Sequence, residues 1–177
     1  MRVRSLLALV LSILIAQSAG LIGSFATRPH IDTWYRGLVK PWFTPPDWLF
    51  PVVWPVLYLL MGTAAWLIYS SSESGGRPNK ADSTSQGAVL LFCHPSRQEA
   101  LVVYGAQLLL NMTWPFLFFH WQMPGLALVE ILVLLGFILI TTRLFYRIRP
   151  LAGYLMVPYI LWVGYATLLN GALWYLN

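Results

Sequence analysis

The chain has 177 residues, of which 58% are hydrophobic and only 10% charged, with a formal net charge of +5. Soluble domains carry roughly 25% charged residues, so this composition cannot cover a water-facing surface and hydrocarbon is the expected solvent. The basic balance does not point to nucleic acid, because the eleven Lys and Arg residues are scattered over termini and loops without a dense stripe. The single cysteine, Cys93, excludes an intrachain disulfide framework and any cysteine-based metal cluster.

In chain order, five stretches are apolar and long enough to cross roughly 30 Å of hydrocarbon, which takes about 20 helical residues. They lie at about 5–27, 48–69, 98–120, 124–146 and 151–175. The predicted fold class is therefore all-α, one integral-membrane bundle of five transmembrane helices occupying residues 1–177. The first stretch has a second reading. Arg2 and Arg4, the run Leu6–Ile15 and then Ala16-Gln17-Ser18-Ala19 also have the shape of a secretory signal peptide. Against cleavage, the apolar run continues to Ala26, and Ala16/Gly20 and Ala19/Gly23 place small residues four apart, the spacing that lets membrane helices pack closely. A retained helix is expected.

The loops differ in kind. Residues 28–47 are rich in aromatics and prolines, which predicts an ordered cap. Residues 70–90 are polar and low in complexity, which predicts a flexible linker. The apolar segment Ala88–Cys93 is too short to span and either extends the third helix or lies at the interface. Positive charge sets the expected orientation. Arg2, Arg4, Arg77, Lys80, Arg97, Arg143, Arg147 and Arg149 fall on one side and Arg28, Arg36 and Lys40 on the other. Eight against three predicts a cytoplasmic N-terminus and a C-terminus on the opposite side.

Helical spacing draws three stripes: Gln107, Asn111, Trp114 and Phe118 on the third helix; Phe50, Trp54, Leu57 and Met61 on the second; Trp162, Ala166, Leu169 and Leu173 on the fifth. Such stripes suit ordinary helix packing as well as a pocket. Their common depth, beneath the aromatic first loop, favours an apolar cavity with a few polar groups, the usual holder of a flat apolar ligand. Asn111 is the polar group of most interest, because an unpaired amide in hydrocarbon costs about 2–7 kcal/mol. Pro115 also removes the backbone donor for the Asn111 carbonyl, as Pro55 and Pro158 do for Pro51 and Tyr154. These groups need partners on another helix or on a ligand. Glu130 is the one acid inside a span, either lining or bracing the pocket or reaching the interface. Trp66, Trp121 and Trp174 are expected in the interfacial aromatic belts. His30, His94 and His120 form no metal-binding spacing, and a haem-ligating His120 is weighed against a solvated helix end.

Three blocks carry a family resemblance. The first runs Trp34-Tyr35-Arg36-Gly37-Leu38-Val39-Lys40-Pro41-Trp42-Phe43-Thr44-Pro45-Pro46 and on through Asp47-Trp48-Leu49-Phe50-Pro51 to Trp54-Pro55-Val56-Leu57-Tyr58. The second is Gln107-Leu108-Leu109-Leu110-Asn111-Met112-Thr113-Trp114-Pro115, and the third runs from Pro158-Tyr159 through Trp162 to Leu169-Asn170. In this order they resemble the TspO/MBR family of translocator and tryptophan-rich sensory proteins. The resemblance implies a sensor or regulator of tetrapyrrole or stress metabolism that binds porphyrins (protoporphyrin IX, haem) and sterol-like ligands. It also implies a homodimer in the lipid bilayer, and it needs no obligatory cofactor or metal.

Together, spacing and resemblance name the expected ligand-binding residues. They are Trp34, Tyr35, Pro45 and Trp48 of the first loop, Phe50, Trp54 and Tyr58 after it, and Gln107, Asn111, Trp114 and Phe118 of the third helix. Leu126 and Glu130 of the fourth and Trp162, Ala166, Leu169 and Asn170 of the fifth complete them. Catalytic constellations are absent from the sequence. The resemblance adds one enzymatic alternative, light- or oxygen-dependent protoporphyrin breakdown with Trp54 and Trp162 as candidates, and a transport alternative. The sterol-recognition pattern near the C-terminus lacks its basic residue, since only Leu176 and Asn177 follow Tyr175.

Overall fold

The computed structural model describes residues 3–71 and 95–177. Most of the expected linker, and the segment Ala88–Cys93 with it, lies outside the described residues. Among the described residues are five helices long and apolar enough to span a membrane: α1 (Val3–His30), α2 (Leu49–Tyr69), α3 (Arg97–Pro115), α4 (Pro124–Ile148) and α5 (Pro150–Leu176). The described residues contain no strand. Around the bundle the order is α1, α2, α5, α4, α3, closing back on α1, with a diagonal contact between α2 and α3.

Local chemistry sets the helix ends. At the start of α3, the Ser96 hydroxyl accepts from the Glu99 amide at 3.1 Å while the Ser96 amide donates to the Glu99 carboxylate at 3.0 Å. This reciprocal cap satisfies two of the backbone groups a helix start leaves open. Between α4 and α5 a single residue turns the chain. Arg149 precedes Pro150, whose ring excludes the helical conformation for its neighbour, and Arg149 is extended at φ −149° and ψ 106°. Directly after it, Gly153 lets the two helices close. A Cβ there would sit 2.6 Å from Tyr146 Cβ and 2.8 Å from Tyr146 Cα.

Two helices end differently from the sequence expectation. Beyond α1 the chain continues as a π-helical turn, Ile31–Tyr35, and beyond α3 as another, Phe116–His120. Each follows a proline, Pro29 or Pro115, whose ring pushes against the carbonyl four residues back and widens the turn. The two turns pack on each other. Trp34 meets Phe118 edge-on at 5.5 Å, Tyr35 lies 5.6 Å from Phe119, and the His30 and His120 rings meet at 5.5 Å.

The packing is that of a protein dissolved in hydrocarbon. The core joins Leu57, Met61 and Ile68 of α2 with Tyr104, Ile131, Ile138, Phe145, Met156 and Tyr159, while large apolar side chains such as Leu11, Phe25, Leu139 and Leu161 point outward. In lipid that exposure carries no penalty. Ala16 and Ala19 are buried, as the small-residue spacing on α1 predicts, and Gly62 of α2 meets the α1 backbone itself, at Ser12 and Ile13. Trp66, expected in an aromatic belt, donates its indole N–H to the Ser5 carbonyl at 3.0 Å and ties α2 to the start of α1. Trp121 and Trp174 are exposed, as belt residues would be.

The first loop is tied across one end of the bundle. The Tyr165 hydroxyl donates to the Phe43 carbonyl, and the Asn177 side chain accepts from the Val39 amide at 2.9 Å and donates to the Val39 carbonyl at 3.1 Å. Removing both anchors by Tyr165→Phe and Asn177→Ala should free this loop while the helices stay folded. At about 1 kcal/mol for each net hydrogen bond, the Val39 amide should exchange with deuterium at least about fivefold faster. Unchanged exchange would show that loop packing, and not these anchors, holds the segment.

Candidate functional site

A cavity of about 440 Å³ lies in the half of the bundle that adjoins the first loop. Every helix contributes: the C-terminal half of α1, the N-terminal half of α2, the last turns of α3, the N-terminal half of α4 and the C-terminal half of α5. This alternation follows from five consecutive crossings of one membrane. Of the residues expected at a site, the fold brings together Tyr35, Phe50, Trp54, Tyr58, Asn111, Trp114, Phe118, Trp162, Ala166, Leu169 and Asn170 around this space.

The remaining six stand elsewhere. Trp34 packs on Phe118 behind the wall, and Pro45 is a partly buried loop residue outside the cavity. Trp48 is 65% exposed and Leu126 47% exposed, both turned away from the interior. Gln107 is fully buried one turn deeper, where its amide meets the Met61 sulfur at 3.6 Å. Glu130 does not line the cavity either. Both its carboxylate oxygens are buried without a hydrogen-bond partner among the described residues, within electrostatic reach of Tyr159.

Asn111 is answered by other helices. Its side-chain oxygen accepts from the Tyr58 hydroxyl of α2, and its nitrogen donates to the Tyr159 hydroxyl of α5 at 2.7 Å. The amide therefore joins three helices at the floor of the cavity. Asn170 acts similarly nearer the first loop. Its oxygen accepts from the Trp114 indole at 3.2 Å, and its nitrogen donates at 2.8 Å to the carbonyl of Pro124, the first residue of α4.

The walls are aromatic. Trp54 lies over Tyr58 with ring centroids 5.7 Å apart, Trp114 stacks on Phe118 at 5.0 Å, and Trp162 meets Phe50 at 5.8 Å and Trp54 at 6.4 Å. Such offset and edge-on pairs hold their rings in fixed orientations. Trp162 has a second neighbourhood. It also lines an apolar groove on the outside of the bundle, between Val53, Val56 and Leu60 of α2 and Pro158 and Leu161 of α5. One indole thus separates the cavity from the lipid-facing surface. Its N–H is buried with no acceptor among the described residues.

Sequence reasoning missed the contribution of α1, read only as a packing helix. Gln17, Gly20, Gly23, Ser24, Thr27, Arg28 and Ile31 form one side of the cavity. The signal was present in the glycines. A Cβ at Gly20 would collide with the Tyr58 ring, and one at Gly23 would sit 3.0 Å from Pro115 Cγ. The small residues that let α1 approach also bare its backbone to the interior. Gln17 closes a gap as well, donating at 2.9 Å to the Pro55 carbonyl. Asp47 and Pro51 at the mouth and Ile131 and Leu134 on α4 are further lining residues.

A profile of the TspO/MBR family matches residues 12–176. The chain belongs to the TspO/MBR family. It is 34% identical to the tryptophan-rich protein TspO of Chlorobaculum tepidum over 98% of both chains, and 36% identical to that of Archaeoglobus fulgidus over 98% of this chain and 99% of the relative. The human translocator protein is 36% identical over 80% of this chain and 73% of its own. Membership in the TspO/MBR family agrees with the three sequence blocks, all of which fall within the matched residues. It also makes this an integral membrane protein. Among the described residues no group of three or more His, Cys, Asp or Glu side chains could hold a metal ion.

Proposed function

We propose that this chain binds a flat tetrapyrrole, a porphyrin such as protoporphyrin IX or haem, in the cavity beneath the first loop, and that it acts as a sensor or regulator of tetrapyrrole or stress metabolism. The observation that carries this reading is the lining itself: Trp54, Trp114, Phe118 and Trp162 present ring faces and edges to one space of about 440 Å³. Small-molecule sites usually fall between about 300 and 1,000 Å³, are mostly apolar and carry a few placed polar groups. Sterol-like molecules are the second ligand class that such a wall would accept. The sensory and translocator names of its relatives fit a protein whose business is a small lipophilic molecule.

Titrating protoporphyrin IX into the purified protein in detergent while following tryptophan fluorescence tests the reading. Saturable quenching near one ligand per chain is expected. Trp162→Phe should weaken it about tenfold through loss of ring area and of the indole donor. Folded wild-type protein without saturable quenching would remove porphyrins from consideration.

A second reading has its own observation. Trp54 and Trp162, 6.4 Å apart and perpendicular at 88°, would both lie against a bound macrocycle. That is where an electron donor or quencher for light- or oxygen-dependent porphyrin breakdown would stand. Illuminating the loaded protein and recording product absorption separates enzyme from sensor, and flux across liposomes separates either from a transporter. The cytoplasmic N-terminus and a homodimer belong to the same proposal. Residue-specific labelling in intact cells and cross-linking in native membranes test them.

A further inference from the structure

Among the described residues only two charged side chains line the cavity, Arg28 on the last turns of α1 and Asp47 just before α2. Both stand at the end nearest the first loop. They are not within ion-pairing distance of each other, since the single ion pair among the described residues is Arg36 with Asp32 at 2.8 Å. The other basic residues of that end are occupied. Arg36 is held by Asp32, and the Lys40 ammonium lies 4.3 Å from the centre of the Tyr35 ring. Arg28 has no ion-pair or hydrogen-bond partner among the described residues.

Among the described residues, the rest of the cavity offers nothing comparable. Asn111 is engaged by Tyr58 and Tyr159, and Asn170 by Trp114 and Pro124. Ser24 and Thr27 donate to carbonyls of their own helix at 2.7 and 3.0 Å. Among the described residues the one buried lining donor without a partner is the neutral Trp162 indole. A charged ligand group placed deep would be stripped of water and find no countercharge, which costs far more than leaving it at the mouth.

We propose that Arg28 selects for an anionic end group, so that the ligand is an acid: a flat apolar body seated among the tryptophans with a carboxylate at the loop-side mouth. This rests on the small-molecule site described above and narrows its ligand class. A guanidinium presents five N–H donors in a planar fork that matches a carboxylate with two parallel bonds. Asp47, which lines the same end without pairing to Arg28, repels the same group and biases the ligand carboxylate toward Arg28. The apolar walls focus the field of both charges, because low-dielectric surroundings screen them poorly.

The test compares an acid with its own ester. Protoporphyrin IX and its dimethyl ester are titrated into wild type, Arg28→Gln and Asp47→Asn in nanodiscs of zwitterionic lipid. Wild type should prefer the diacid. Arg28→Gln should lose about tenfold or more in diacid affinity with little change for the ester, and Asp47→Asn should tighten the diacid. The diacid preference should also shrink as salt is raised. Equal affinities for acid and ester in wild type, or equal losses in Arg28→Gln, would overturn the proposal and leave Arg28 as a side chain reaching for lipid phosphate. Arg28 is exposed, so the variant is expected to fold, and its thermal midpoint is measured alongside. If wild type binds neither porphyrin, the tetrapyrrole reading fails by itself. The same comparison with cis-parinaric acid and its methyl ester then decides the role of Arg28: an acid preference abolished by Arg28→Gln upholds it, and none refutes it.

Discussion

Asn111→Leu is expected to cost both stability and ligand. The amide is almost fully buried and bonds Tyr58 on one side and Tyr159 on the other. Leucine fills a similar volume but leaves two hydroxyls without their partner at membrane depth. Orphaned buried groups cost about 1–3 kcal/mol each in soluble proteins, whereas side-chain hydrogen bonds in membranes average only about 0.6 kcal/mol. Complete burial places this network between those figures, so a loss of about 2 kcal/mol is expected in reversible unfolding by denaturing detergent. Ligand affinity should fall more than tenfold, because the Tyr58 ring forms cavity wall and rests against Gly20. A double-mutant cycle with Tyr58→Phe supplies the check. The two changes should be less than additive, since the second removes a hydroxyl already orphaned by the first. Strict additivity would mean that the network does not act as a unit.

Gly62→Leu should have the largest effect on folding. A Cβ at this position would lie 2.7 Å from the Cα of Ile13 and 3.0 Å from the carbonyl oxygen of Ser12, both backbone atoms of α1. Backbone cannot rotate away as a side chain can, so α1 and α2 must separate. The bond from the Ser12 hydroxyl to the Gly62 carbonyl at 2.8 Å would be lost with the contact. Overpacking ordinarily costs about 1–3 kcal/mol, and a helix–helix seam with no soft neighbour belongs at or beyond the upper end. Little folded protein should survive extraction into detergent. Gly136→Ala is the control. No atom stands within 4 Å of its Cβ position, and trading glycine for alanine inside a helix should stabilise by about 0.5–1 kcal/mol. If both variants behaved alike, close packing at Gly62 would not be what joins the two helices.

Much of the site was legible beforehand because its chemistry is local. The depth of Trp54, Asn111, Trp114, Trp162 and Asn170 follows from counting residues along uncharged spans from a common loop, and the fold places all five around one cavity. Gln107 and Glu130 were grouped with them by the same count, yet they stand outside it. Residue counting gives depth along a helix and only coarse rotation about it. Pro29 and Pro115 add a further twist, since the π-helical turns that follow them rotate every later side chain.

The sequence by itself determined five spans, their order along the chain and the family, because hydrocarbon thickness imposes length and charge exclusion on each helix separately. Which faces meet was decided only by the tertiary structure. Helices that are apolar all round carry little directional signal, so neither the ring order α1, α2, α5, α4, α3 nor the turning of α1 toward the cavity could be read from hydrophobic pattern. The same holds for the partners of Asn111 and Asn170. An amide in hydrocarbon announces that it needs a partner, but the partner lies 46 to 56 residues away in the chain, and only packing brings the two together.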